Sequence, residues 1–448
     1  MHTKPIKPLL TTLALAYFYS FAQLAPAADA DRLGKDLTPM GSERAGNADG
    51  GIPAWDGGLA KAPAGFDPKA GYIDPYAGDK PLYTITVANM AQYKGRLAAG
   101  QMEMLKRFPG YKMVVYPSRR TAAYPQTVYD SVKAEAGRIV LADGGNGVRN
   151  VEHSSIPFPQ PKSGVEVIWN HLMRYRGGSI QRFSTEFPVQ ANGAFTPLTR
   201  TETVAYAHAM ANPEPNRLVY YTSTITGPSS VAGESILVID PVDQVREARK
   251  AWAYNPGQRR VLRAPDMGYD APGIGADGLR TSDDYDGFNG SPDRYDWKLL
   301  GKKEMIISYN NYKLMSKSVR YTDLIRPAHL NQDYVRYELH RVWVVEATLK
   351  AGQRHIYARR TFYVDEDSWQ IAHADAYDGR GELWRVHEVE AVQSYDAPAL
   401  YVAGDVFYDL QARRYLVTGL TNQEKPMKYG VKLDTSYFTP DNLRRLSN

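Results

Sequence analysis

Along residues 333–420 apolar and polar side chains alternate almost without interruption. From 335 to 349 the odd positions are Val335, Tyr337, Leu339, Arg341, Trp343, Val345, Ala347 and Leu349, while Arg336, Glu338, His340, Glu346 and Thr348 fall on even ones. Successive side chains of a strand point to opposite faces, so this period of two predicts a strand with one buried and one wetter face. The turn Ala351-Gly352-Gln353 leads to a second such run at 355–364, and Asp365-Glu366-Asp367 to a third at 369–377. Asp378-Gly379-Arg380-Gly381 then introduces strands at 383–395, 400–410 and 413–420. Strands so closely spaced, joined by tight polar turns, predict a meander that curls or closes.

Strand patterns also occur upstream, at 180–190, 195–210, 217–226 and 234–239, parted by Asn192-Gly193, Asn212-Pro213 and Gly227-Pro228. Pro256-Gly257 at the centre of Asn255-Pro256-Gly257-Gln258 is a type II turn signal, so 247–263 reads as a hairpin with Trp252 and Tyr254 on one face. Shorter strands are expected at 113–116, 137–142 and 305–309. Helical spacing marks 89–108, with Met90, Leu97, Met104, Leu105 and Phe108 on one broad side before Pro109-Gly110, and a second helix is expected at 125–136. The clearest helix signal is Ser163-Gly164-Val165-Glu166, a capping box followed by Val165, Ile168, Trp169, Leu172 and Met173 at helical spacing. Arg174 and Arg176 suit the C-terminal dipole of that helix, and Gly177-Gly178 ends it.

Two stretches lack periodicity. Residues 29–82, rich in Gly, Pro, Ala and Asp, read as an extended arm with tight turns, pinned by Trp55. Residues 264–297 carry Asp266, Asp270, Asp277, Asp283, Asp284, Asp286, Asp293 and Asp296 among glycines and aromatics. Hard cations such as calcium take carboxylate oxygens, but Phe288 stands where an oxygen ligand should recur. The run therefore reads as a long polar loop. Before the arm, Lys4, Lys7, the apolar run 9–21 and the small residues of Ala25-Pro26-Ala27 form a Sec-type signal peptide over 1–28. The expectation is a soluble periplasmic protein, with 83–448 as a single domain after the arm.

Composition narrows the chemistry. The chain has 448 residues and no cysteine, which excludes an N-terminal lipid anchor, disulfides, zinc–thiolate sites and thiol catalysis. Without Lys4 and Lys7 the net charge falls from +5 to +3, too mild and too scattered to suggest nucleic acid. Tyrosine outnumbers Phe and Trp together, 32 against 12 and 7, which suits sheets and ligand cavities that are apolar with polar tips. No G-x-S-x-G or H-E-x-x-H occurs, and neither His153 nor His171 belongs to a ligand-spaced pair.

Several segments resemble one proteobacterial periplasmic family of unknown function, related to outer-membrane lipoprotein-sorting proteins of the LolA/LolB type. They are Leu37-Thr38-Pro39, Glu43-Arg44-Ala45-Gly46-Asn47, Ile52-Pro53-Ala54-Trp55 and Arg119-Arg120-Thr121-Ala122-Ala123-Tyr124-Pro125. Further on come Trp169-Asn170-His171-Leu172, Arg174-Tyr175-Arg176-Gly177, Arg249-Lys250-Ala251-Trp252 and Asn255-Pro256-Gly257-Gln258-Arg259-Arg260-Val261, then 284–290, 297–304 and 360–369. The resemblance implies a mainly β protein, a large curled antiparallel sheet forming an unclosed half-barrel around a hydrophobic cavity, with a few covering helices. It also implies work beside an inner-membrane exporter of the resistance-nodulation-division type and an outer-membrane partner.

The function expected is carriage of a lipid or other hydrophobic molecule, without catalysis, cofactor or metal. An envelope glycan or lipid hydrolase and a non-catalytic transporter scaffold are the alternatives. Ligand contacts are expected from Tyr337, Leu339, Trp343 and Val345 on the central strand, from Trp252 and Tyr254 on the hairpin, and from Trp169 and Leu172 on the capped helix. Arg341 matches only in position the inward Arg that latches the lid of the lipoprotein carriers.

Overall fold

The computed structural model describes residues 30–447; the signal-peptide reading falls on residues 1–28, outside the described residues. In chain order the first strands are β1 Tyr83–Ile85, β2 Met113–Val115, β3 Val140–Leu141, β4 Val148–Arg149, β5 Ser179–Val189 and β6 Leu198–Tyr206. Next come β7 Val219–Gly227, β8 Ser235–Asp240, β9 Lys250–Asn255, β10 Arg260–Arg263, β11 Tyr295–Ser308 and β12 Tyr337–Leu349. The last are β13 Arg359–Asp365, β14 Ile371–Tyr377, β15 Leu383–Ser394, β16 Ala399–Asp409, β17 Arg414–Leu420 and β18 Lys428–Tyr429. The longer α-helices are α1 Ala99–Arg107, α2 Gln126–Glu135, α3 Gly164–Met173 and α4 Pro440–Leu446.

Two meanders make the main sheet. Strands β12 to β17 pair antiparallel in sequence order, as do β5 to β10, and β17 pairs with β5 to join them. β11 lines the free edge of β12, and among the described residues it does not pair with β10 at the far end. The fold is mainly β and the sheet is not closed. Register shifts at Leu299/Gly301, Tyr363/Val364, Ala376/Tyr377 and Glu390/Ala391 insert bulges. Each adds bend and twist, which lets so many strands curl rather than lie flat.

Alternation decides what covers each face. On one side α3 lies on β11 and β12, and Ile168, Trp169, Val345, Phe362 and Trp369 share one core. A second core holds Met104 and Leu105 of α1 with Val386, Val406 and Val417. Under β7 to β9, Phe438 and Leu443 at the C-terminal helix pack on Tyr220, Leu237 and Tyr254.

The arm at 30–82 is bound down by Arg120. Its guanidinium takes both carboxylate oxygens of Asp367, at 2.8 and 2.7 Å, and donates to the carbonyls of Glu43, Arg44 and Pro53. Trp55 donates its indole N–H to the carbonyl of Ala122 at 3.2 Å.

Four expected elements come out differently. The helix expected at 89–108 breaks at Leu97, whose extended backbone (φ −116, ψ 140) separates a 3-10 turn at Met90–Arg96 from α1. α3 ends at Met173 rather than Arg176, because Arg174 leaves the helix to bury its guanidinium against Asp286. The strand expected at 137–142 is reduced to β3. β11 reaches back to Tyr295, well before 305, and its exposed Asp296, Lys298 and Leu300 hid an edge strand inside what read as loop.

Candidate functional site

Alternate residues of β5 to β8 form the floor of a cavity of about 190 Å³. Ile180, Arg182, Ser184 and Glu186 come from β5, and Arg200, Glu202, Val204 and Tyr206 from β6. Val219 and Tyr221 of β7, and Ile236, Val238 and Asp240 of β8, continue the same face. The aspartate-rich segment 264–294 supplies a cover through Met267, Ile274, Tyr285 and Asp286; Leu172 and Tyr401 close the sides. Neighbouring Tyr220 points the other way, into the core under α4, as the strand period requires.

Five arginines in the wall are neutralised in place. Arg182 stands directly across from Glu202 in the β5–β6 register, and its Nε donates to Glu202 Oε2 at 2.6 Å. Tyr221 and Tyr285 donate to the other oxygen of Glu202, at 2.7 and 3.2 Å. Burial alone would raise the pKa of Glu202, but Arg182 and these hydroxyls outweigh it and hold it down at about 2. Arg200 lies diagonal to Glu186, at 2.5 Å, and Arg249 pairs with Asp240, also at 2.5 Å. Arg174 and Arg176 share Asp286, at 2.6 and 3.1 Å; despite burial they keep that carboxyl well below its usual range. The wall therefore mixes aliphatic and aromatic surface with ion pairs whose charges already have partners.

The aspartates of the cover do not converge as a calcium loop would. Asp283 and Asp284 face Arg360, at 2.6 and 3.4 Å, Asp286 faces the two arginines above, and Asp270 faces Arg294. Among the described residues, the cluster nearest to a metal-ligand set is His340, Asp365 and Asp367, all buried. Most of its ligand atoms are already engaged. Both oxygens of Asp367 hold Arg120, while His340 sits with Nε2 3.1 Å from Glu338 and Nδ1 3.4 Å from Asp365. Burial opposes a charge on that imidazole, yet the two carboxylates prevail and raise its pKa to about 9. A cationic imidazole donates from both nitrogens and has no lone pair for a metal. The cluster is an ionic tie between the arm and the β13–β14 turn.

The residues picked out from sequence are spread over separate cores. Trp169, Leu172, Trp343 and Val345 do meet, in the core beneath α3. Tyr337 and Leu339, on the same alternating positions of β12, belong to the core under α1, where the Tyr337 hydroxyl donates to Gln332 at 2.9 Å. Trp252 and Tyr254 pack toward α4, on the opposite face of β9 from the cavity. Arg341 donates to the carbonyl of Ala45, 3.1 Å away, and so holds the arm rather than a helical lid. Of these residues only Leu172 lines the cavity. The wall residues Arg182, Glu186, Arg200 and Glu202 were not picked out. Their signal is a charge on every second or fourth position of otherwise ordinary strands, and only the register reveals that they pair.

The family model described as "Protein of unknown function (DUF1329)" matches residues 84–444. An uncharacterized protein of Pseudomonas aeruginosa is 48% identical over 451 residues, covering 99% of each chain. Among solved structures, a DUF1329 family protein from Desulfovibrio piger is 16% identical with a TM-score of 0.42, over 59% of this chain and 90% of that one. A LolA superfamily protein from Nitrosomonas europaea is 14% identical with a TM-score of 0.38, over 63% of this chain and 99% of that one. With the family model spanning most of its length and a full-length relative at 48% identity, the chain belongs to the DUF1329 family.

Proposed function

We propose that this protein is a binding protein or carrier for a lipid or other amphiphile, with the β5–β8 cavity as its site. The observation that carries this reading is the cavity wall itself. Ile180, Val204, Ile236, Val238, Met267 and Ile274 offer apolar surface beside ion pairs that are already satisfied. Such a wall accepts an alkyl chain, which gains roughly 25 cal/mol for each Å² it buries, and leaves few charges stranded by the exchange of water for ligand. Among the described residues no helix is long and apolar enough to cross a membrane. A role between envelope membranes, alongside an exporter and an outer-membrane partner, follows only from the sequence resemblance and belongs to the proposal.

The test is organic extraction of protein purified from its native cell, with mass spectrometry of the extract, repeated on Val238→Trp. The indole would fill the cavity, so bound amphiphile should drop at least fivefold while circular dichroism stays native. A folded variant with undiminished cargo would remove this cavity from the reading.

A further inference from the structure

The cavity contains one guanidinium that the ion pairs do not account for. Six arginines line it, and Arg174, Arg176, Arg182, Arg200 and Arg249 each contact a carboxylate. Arg280 has none among the described residues. Its guanidinium makes one hydrogen bond, from Nη1 to the carbonyl of Thr281 at 3.3 Å, and its buried Nε has no partner. The remaining carboxylate of the wall, Asp405, is engaged elsewhere, by Nε2 of His387 and the backbone N–H of Asp286.

The surroundings of Arg280 hold its plane without using its donors. The rings of Tyr285 and Phe407 lie 5.7 and 5.9 Å from the guanidinium carbon. Gly273, bonded across from it through N–H to the Arg280 carbonyl at 3.0 Å, leaves space that a side chain would take. A Cβ there would stand 2.8 Å from that carbon. A planar fork of donors, fixed by aromatic contacts and left free in a partly desolvated cavity, matches the geometry of a carboxylate or phosphate.

Resting on the carrier reading, we infer that Arg280 receives the anionic head group of the bound amphiphile, a carboxylate or phosphate monoester, while the chain lies along the aliphatic wall. The cavity then selects acidic amphiphiles over neutral ones of the same chain length.

Binding of oleate, lysophosphatidate and uncharged monoolein to delipidated full-length protein tests this. Wild type should bind the two anions more tightly than monoolein. Arg280→Gln should weaken the anions by about tenfold or more, since hydrogen bonds to charged groups are the strong ones, and leave monoolein within twofold. Arg280→Lys should keep part of the preference, and Gly273→Ala should lose it by displacing the guanidinium. Weakening of oleate alone would identify a carboxylate head, and of lysophosphatidate alone a phosphate. Equal weakening of all three ligands, or no preference for anions in wild type, overturns the inference while leaving the carrier reading intact. A wild type that binds none of the three removes both.

Discussion

Trp343 lies almost parallel to Trp369, with ring centroids 6.2 Å and planes 11° apart, and the Lys302 ammonium sits 5.1 Å from its ring. Two large rings buried in one core beneath α3 pack it full, so Trp343→Ala should cost about 3–5 kcal/mol. The shift of the urea midpoint measures it, and a loss under about 1 kcal/mol would show the ring facing open space. His340 answers to pH. Its pKa of about 9 lies above the unfolded value near 6.5, so its contribution is complete below pH 6.5 and lost as pH rises through 9. That leg amounts to about 3 kcal/mol. His340→Gln should be less stable at pH 6 and show a flatter decline between pH 7 and 9. Parallel urea curves for the two proteins over that range would exclude the charged imidazole.

Helix α3 shows what a local pattern settles. The Ser163 side chain accepts the Glu166 N–H at 3.4 Å, and Glu166 reaches back to the Lys162 N–H at 2.5 Å, one residue before the cap. Ser163→Ala should therefore cost about 1 kcal/mol, read by thermal or urea unfolding; no loss would mean the long Ser163 bond does little. Caps, turns and the period of two are short-range signals, and they placed α3 and the strands from β12 to β17. The same period could not say which core a strand face meets. Tyr337 and Trp343 stand on one alternating face of β12 yet enter different cores, because β13 pairs only with Val342–Thr348 while Tyr337 pairs with Val115 of β2. The cavity was hidden for a related reason. Arg200 and Glu186 meet only through the β5–β6 register, and the cover at 264–294 has no periodicity to read.

At the scale of the whole molecule, one arginine connects the arm to the sheet. Arg120, with its side chain 3% exposed, is shared between Asp367 and four arm carbonyls, those of Glu43, Arg44, Ala45 and Pro53. Removing it strands a buried carboxylate, which costs about 3–5 kcal/mol. Arg120→Ala should release the arm first, so limited proteolysis should cut within residues 43–58 well before the strands. Cleavage beginning in the sheet instead would show that Trp55 and Arg341 hold the arm unaided. The Glu43 N–H bonds to Glu366 at 2.7 Å, across 323 positions of chain. A ribosome adding roughly 5–20 residues each second makes the second partner between about fifteen seconds and a minute after the first. Throughout that interval the Glu43 N–H lacks this partner, although Arg120 and Ala122 are already available to the arm, and closing so long a loop is itself slow. The contact at Glu43 is thus among the last to be made, long after Arg120 and Ala122 have offered the arm its first partners.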